Sequence, residues 1–197
     1  MKRILFILSI VFTFYGVNAQ TQQKENVFSS VPEVNGKVVF QQFIHTEGLN
    51  EDQSYALLYK WGKDNYAGNP LLSGIRFTEK EKSLTVSSKV ELLLPENSDG
   101  VRQKMMMNYR FDANITNAGC VLVVRDVTYQ SAQGKGSSFF PKLFAAEDMI
   151  TDSAVSSTSN EQEFRNNLRK STLFFLNELY NDLKKNLQSQ ISIETTK

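Results

Sequence analysis

The hydrophobic positions of the chain follow two different periods, and the change from one to the other separates its elements. From Leu71 to Tyr129 apolar residues recur at every second position, as in strands with one solvent-facing side. Short polar turns divide this stretch into four strands, which predicts antiparallel neighbours. In the first of the four, Leu71, Ile75 and Phe77 are predicted to share one face. Another strand is predicted over 37–45, which is rich in β-branched and aromatic residues.

Two other segments place their apolar residues three and four positions apart, which is the period of an α-helix. Asn50 and Gln53 form a variant of the capping box and predict a helix that starts there. Asn160 and Glu163 form another, and a long amphipathic helix is predicted over 160–188. The apolar stripe of this last helix consists of Phe164, Leu168, Thr172, Leu176, Leu179, Leu183 and Leu187.

The order of elements is therefore β-α-β-β-β-β-α, which predicts an α+β fold. An antiparallel sheet with one apolar face needs a cover, and the long C-terminal helix has the stripe to supply it. We predict a single domain over 37–190, preceded by a flexible lead-in over 20–36. Residues 131–159 break the pattern and are predicted to form a long loop.

Residues 1–19 are typical of a secretory signal peptide. Two basic residues precede an apolar run, and small residues stand before a cleavage site after Ala19. The apolar run is too short for a membrane span, so we expect no stable membrane insertion. The predicted location is the periplasm or the exterior. The only cysteine is Cys120, which excludes an internal disulfide.

The charge of the chain argues against binding to nucleic acid. The formal net charge is +1, and the predicted leader contains Lys2 and Arg3, so the mature chain would carry −1. Proteins that bind nucleic acid usually have a basic excess that displaces counterions from phosphates. We therefore predict no nucleic-acid partner.

Several stretches resemble a known family. They are "VPEVNGKVVFQQ" at the first strand, Trp61 in the first helix, the four-strand run and "AEDMITD" before the last helix, together spanning about 31–185. This pattern is similar to domain-of-unknown-function family 4468 (DUF4468), found in exported proteins of Bacteroides-type bacteria. The resemblance implies a TBP-like fold and an exported location, with no catalytic residues to transfer. It does not imply DNA binding, because function belongs to sites and not to folds.

The preferred hypothesis is a non-catalytic envelope domain that binds an apolar small molecule or a protein partner between the sheet and the last helix. Plant-allergen-like domains use a similar order of elements to enclose apolar ligands. Methionine side chains suit a pocket of changing shape, although alternation alone also predicts core positions for Met105 and Met107. The candidate ligand-binding residues are Met105, Met107, Tyr109, Phe111, Leu176 and Leu179.

The alternative hypothesis is a hydrolase or another envelope enzyme that uses buried carboxylates. Asp126 lies near Arg110 and Arg125 on strands that are otherwise largely apolar, and burial would shift the pKa values of such groups. His45 is the only histidine, so no Ser-His-acid set can be assembled and it is interpreted as an ordinary strand-end residue.

No metal or cofactor site is predicted. The acids of "AEDMITD" lack the spacing of a calcium loop and are interpreted as solvated helix-capping residues, and "GKGSS" lacks the spacing of a phosphate loop. Phe139, Phe140 and Phe144 place three aromatic rings in the predicted long loop. They are expected to fold back onto the domain, with an interaction site as the alternative.

Overall fold

The computed structural model of the protein describes residues 24–131, 142–157 and 161–188. Its strands are β1 (Glu33–Val34), β2 (Lys37–Val38), β3 (Phe40–His45), β4 (Ser73–Thr78), β5 (Ser83–Leu93), β6 (Lys104–Thr116), β7 (Gly119–Ser131) and β8 (Leu143–Ala145). Its helices are α1 (Glu51–Tyr66), α2 (Ala146–Met149), α3 (Asp152–Ser156) and α4 (Gln162–Gln188). The predicted α+β class is confirmed.

The main sheet is antiparallel, with its strands in the order β3-β7-β6-β5-β4. β8 pairs with β7 beyond the end of β3, and β1 and β2 form a separate hairpin. α1 and α4 pack on one face of the sheet. On that face, Phe111 lies 5.9 Å from Trp61 of α1, and Tyr109 lies 5.1 Å from Phe175 of α4, measured between ring centroids. The prediction that a long C-terminal helix covers the sheet is confirmed.

A bulge in β7 keeps the apolar side chains of this strand on the helix-covered face. The pairing with β6 shifts by one residue at Asp126, whose backbone is in the left-handed region at φ 56°. Val124 and Val127 are consequently both buried. Unbroken alternation would place them on opposite faces, so the bulge lengthens the buried stretch of the strand.

α1 begins as its sequence predicts. The Asn50 side chain accepts a hydrogen bond from the Gln53 amide, and the Gln53 side chain accepts one from the Asn50 amide, both at 2.9 Å. At the other end of the helix the Trp61 indole N–H donates to Asp182 of α4 at 2.7 Å. The two helices are thereby held together over the sheet.

α4 buries the predicted apolar stripe, with Phe164 half-buried at its start. The Thr172 and Tyr129 hydroxyls lie 2.9 Å apart and join the middle of the helix to β7. The helix begins at Gln162, and Asn160, the predicted capping residue, lies outside the described residues.

The predicted lead-in is packed against the domain in its described part, residues 24–36, and is not a free tether. Phe28 is buried and meets Phe40 edge-on at 5.5 Å. Asn177 of α4 accepts a hydrogen bond from the Phe28 amide and donates one to the Phe28 carbonyl, at 2.9 and 3.0 Å. Because one asparagine matches both backbone groups, it pairs with the segment much as a strand would.

The predicted loop over 131–159 has regular structure in its described part, which contains β8, α2 and α3. Ile150 is fully buried, and Thr151 caps α3 by accepting a hydrogen bond from the Ala154 amide. The stretch "AEDMITD" is therefore not a loop, although its acids lie in the first turns of α2 and α3, as the helix-capping interpretation expects. Phe144 packs against the core from β8, as expected for a segment that folds back, whereas Phe139 and Phe140 lie outside the described residues.

The start of the first of the four strands also differs from the prediction. Leu71 lies in the turn before β4 and is 84% exposed, while Ile75 and Phe77 pack against the core. An Asn69 turn holds this segment, since the Asn69 side chain accepts a hydrogen bond from the Leu71 amide. Leu71 therefore does not share the strand face.

Candidate functional site

The six candidate ligand-binding residues all lie in the core. Each is at most 6% exposed, and their side chains fill the space between the sheet and α4. Any molecule placed between sheet and helix would have to displace them, which costs free energy in a close-packed interior. The structure thus supports the core interpretation of Met105 and Met107, while Met106 lies half-buried on the other face.

A groove of about 650 Å³ lies beside this core, between the last part of β5 and the middle of α4. We call it the β5–α4 groove. Leu92 and Phe175 form its floor, and Leu93 and Phe174 form its rim. It is lined by Val90, Glu91, Leu92, Leu93, Leu94, Pro95, Arg102, Lys170, Ser171, Phe174, Phe175 and Glu178.

The rim of the β5–α4 groove exposes large apolar side chains. Phe174 is 67% exposed and Leu93 is 51% exposed, from a helix and a strand that face each other. Large apolar residues scattered singly are common on protein surfaces, but a concave group of them marks a place where another molecule binds. The groove is therefore the strongest candidate for a binding site.

The charges around the β5–α4 groove are mostly paired. Glu91 accepts a hydrogen bond from Lys104 at 2.7 Å, and Glu178 pairs with Lys24 at 2.5 Å. Lys170, by contrast, forms no ion pair with any residue that the structure describes. A free ammonium beside an apolar groove favours a ligand with apolar groups and one negative charge.

The opposite face of the sheet carries a charged cluster around Asp112. Its carboxylate accepts hydrogen bonds from the Thr85 hydroxyl at 2.7 Å and from the Arg125 guanidinium at 2.9 and 3.1 Å. Burial by itself raises the pKa of Asp112, but the hydrogen bonds from Thr85 and Arg125 and the charges of Arg110 and Arg125 outweigh it, so the pKa lies below its usual value. Asp112 is thus a carboxylate at neutral pH, already engaged by its neighbours.

The carboxylate named in the enzyme hypothesis is not buried. The Asp126 side chain is 64% exposed, and its nearest cation is Arg125 at 3.6 Å. Asp126 is therefore not the buried carboxylate that the enzyme hypothesis requires. Arg110 and Arg125 both contact Asp112 instead. Asp112 is the residue of this cluster that the sequence reasoning missed.

The remaining chemically distinctive residues lie apart from the groove. His45 is exposed at the end of β3, where its ring meets Phe43 at 4.7 Å. Cys120 is buried in β7, and burial raises the pKa of its thiol to about 12. Among the described residues, no three His, Cys, Asp or Glu side chains come together as metal ligands do. None of the described helices is long and apolar enough to cross a membrane.

The fold and its middle segment match a known family. The model described as "Domain of unknown function (DUF4468) with TBP-like fold" matches residues 40–130. Residues 40–130 are therefore similar to the DUF4468 domain. The match extends from β3 to the end of β7, so it contains α1 and most of the sheet. The resemblance predicted from the sequence is confirmed.

Solved structures have the same fold over a larger part of the chain. A TBP-like protein from Parabacteroides distasonis is 23% identical with a TM-score of 0.64, over 80% of this chain and 96% of that one. A DUF4468 family protein from Bacteroides ovatus is 20% identical with a TM-score of 0.66, over 81% of this chain and 91% of that one. These likenesses establish the TBP-like fold. No curated protein matches the chain.

The β5–α4 groove itself was not predicted, although one signal for it is present in the sequence. Phe174 falls outside the apolar stripe of α4, next to Phe175, and a large aromatic residue off the buried stripe of a helix indicates a partner. The β5 wall of the groove gives a weaker signal in the sequence. Leu93 directly follows Leu92, and the pair resembles the end of a buried strand.

Proposed function

We propose that this protein is an exported, non-catalytic envelope domain that binds a protein partner in the β5–α4 groove. The observation that carries the proposal is the pair of exposed apolar residues, Phe174 and Leu93, that line the same open groove. Burying both against a partner removes apolar surface from water and favours association. Export is inferred from the signal-peptide pattern of residues 1–19.

A protein partner suits the groove better than an enclosed small molecule. The volume between sheet and helix is occupied by core side chains, whereas the groove is open along the surface of the domain. Small-molecule sites usually bury most of their ligand, which an open groove does not do. An apolar small molecule is therefore the competing outcome of the test below.

A photocrosslinking experiment in the native bacterium tests the proposal. p-Benzoylphenylalanine replaces Phe174 in the full chain, and in a matched control it replaces Leu143, an exposed apolar residue of β8 outside the groove. We expect irradiation to join position 174, but not position 143, to one recurrent protein. Leu93→Asp should abolish that adduct, because it places an unpaired charge in the apolar contact.

Two results would contradict the proposal. Equal labelling from both positions would indicate chance encounters at the cell surface. A single apolar molecule released from natively purified protein, and absent from the Leu93→Asp variant, would identify a small-molecule site instead. Mass spectrometry distinguishes the two results.

A further inference from the structure

The backbone beside the β5–α4 groove has an open sheet edge. β5 is longer than its neighbour β4, whose pairing with β5 ends at Ser73 opposite Ser88. One more contact follows, in which the Lys89 amide donates to the Leu72 carbonyl at 3.1 Å. Within the described parts of the chain, no strand pairs with this side of β5 after Lys89.

Strand alternation determines which backbone groups point to that open edge. In an antiparallel strand the N–H and C=O of one residue point to the same side, and successive residues point to opposite sides. Lys89 points away from β6, and Leu94 points toward β6, where its amide donates to Gln103 at 2.9 Å. Glu91 and Leu93 therefore direct their backbone groups to the open edge.

One of these groups already has a partner. The Ser171 hydroxyl of α4 donates to the Leu93 carbonyl at 3.2 Å. No described residue hydrogen-bonds to the N–H or C=O of Glu91 or to the N–H of Leu93, and these groups have the spacing that an added strand requires. They belong to residues that line the groove.

We propose that the partner binds as an extended peptide segment that pairs with β5 over residues 91–93 and continues the line of β4. This inference rests on the proposed function and specifies the chemistry of the partner. Backbone hydrogen bonds from the peptide satisfy the open groups of Glu91 and Leu93. Peptide recognition by strand addition obtains affinity from such main-chain bonds and specificity from alternate side chains.

The groove defines the side chains of the peptide. Alternate residues of an added strand point toward the helix-covered face, where Leu92, Phe174 and Phe175 provide an apolar surface. Lys170 lies on α4 next to Ser171, near the Leu93 end of the groove, and attracts a carboxylate at one end of the segment. The peptide therefore has apolar residues at alternate positions and an acidic residue at its end.

A second copy of this chain fits the edge less well. The open stretch is short and carries Lys89 and Glu91 on its solvent-facing side, a pattern that protects sheet edges from self-association. Symmetric pairing centred on Glu91 would also set two glutamates directly opposite each other, which is unfavourable. Sedimentation of the mature protein tests whether a second copy occupies the edge, because self-pairing would produce a dimer.

The test uses the mature protein and the peptide acetyl-Asp-Val-Thr-Val-Thr-Val-Asp-amide, with versions in which Ile, Leu, Phe or Tyr replaces Val. Amide hydrogen exchange is followed by NMR. In the free protein we expect fast exchange at Glu91 and Leu93 and slow exchange at Val90 and Leu92, which face β6. Saturating peptide should slow exchange at Glu91 and Leu93 by at least about tenfold, a difference of about 1.4 kcal/mol.

N-methylated peptides separate strand addition from simple apolar contact. One version is methylated on the Val amides and another on the Thr amides, so each loses the donors of one edge while both keep every side chain. We expect one version to bind at least about tenfold more weakly and the other to bind normally, because only one edge faces β5. Leu93→Pro, which lacks the edge N–H, should weaken binding more than Leu93→Ala, with thermal unfolding measured for both variants.

The outcomes also separate this inference from the proposed function. Phe174→Ala should weaken binding by about tenfold, whereas Leu143→Ala should not change it. Binding that depends on Phe174 but tolerates both methylation patterns would overturn strand addition and leave the groove as the site. Absence of protection at Glu91 and Leu93 with every peptide of the panel would also overturn strand addition. Lack of a crosslink from position 174 would overturn the proposed function itself.

Discussion

At the scale of single residues, the ionised Asp112 side chain makes the stability of the protein depend on pH. Its pKa lies below the ordinary value despite burial, because Thr85 and Arg125 hydrogen-bond to the charged form. A lowered pKa in the folded state contributes stability above the unfolded pKa of about 4, and this contribution is lost as the pH falls through the folded pKa.

Asp112→Asn should therefore lower the free energy of unfolding by about 1–2 kcal/mol at neutral pH, since two arginines lose a carboxylate partner. The difference from the unmodified protein should shrink as the pH falls below about 4. Urea unfolding at several pH values measures both effects. Asp64→Asn, which changes an exposed carboxylate paired with Lys60, is the control. A difference that stays constant over the whole pH range would contradict this account.

Asp126 is the residue that accommodates the bulge in β7. Its φ of 56° is strained for a β-branched residue but is adopted readily by Asn and Gly. Asp126→Val should cost about 1–2 kcal/mol, whereas Asp126→Asn should be nearly neutral. Thermal unfolding compares the two variants. Equal melting temperatures would indicate that the strand pairing changes register without cost.

At the scale of elements, β3 and β7 approach too closely for any side chain at the start of β7. Gly119 has φ 150°, and a Cβ atom built there would lie 2.1 Å from the Ile44 carbonyl oxygen. Gly119→Ala should destabilise the protein by at least about 2 kcal/mol, because two paired strands would have to separate. Gly74→Ala in β4 is the matched control, since its nearest contact is an ordinary 4.0 Å. Chemical denaturation of both variants measures the loss of stability in each.

One face of α4 packs in the core, and another face is proposed to contact the partner. Two substitutions to alanine test these roles separately. Leu176→Ala should cost about 2–5 kcal/mol because Leu176 is fully buried. Phe174→Ala should change stability by less than about 0.5 kcal/mol, because Phe174 is largely exposed. Calorimetry provides both values. A large loss with Phe174→Ala would show that Phe174 stabilises the fold, and its role in binding would then need a milder variant such as Phe174→Leu.

At the scale of the whole molecule, the signal-peptide pattern of residues 1–19 predicts export and cleavage. We expect the mature protein to begin at Gln20, because small residues precede a cleavage site after Ala19. N-terminal sequencing of the protein from the native envelope fraction checks this. Recovery of an intact Met1 from that fraction would contradict cleavage. Ala19→Asp should block processing, since a charged residue does not fit the small-residue site.

How much the sequence predicts depends on whether a feature is local. The strands β3 to β7, α1 and α4 were predicted because alternation, helical spacing and the Asn50 capping box are properties of neighbouring residues. The packed segment around Phe28 was missed, since its partner Asn177 is far away in the sequence. The regular structure of residues 142–157 was missed for a similar reason: it is stabilised by pairing with β7 and by burial of Ile150.

The sequence by itself determined the α+β order of elements, the buried stripe of α4 and the resemblance to the DUF4468 family, because each depends on residue types at fixed spacings. The tertiary structure decided which apolar residues are core and which form a site. Met105 and Leu176 are enclosed, while Phe174 and Leu93 are exposed and line an open groove. It also decided that β5 extends beyond β4, because the free edge depends on where a neighbouring strand ends and not on the residues of β5 itself.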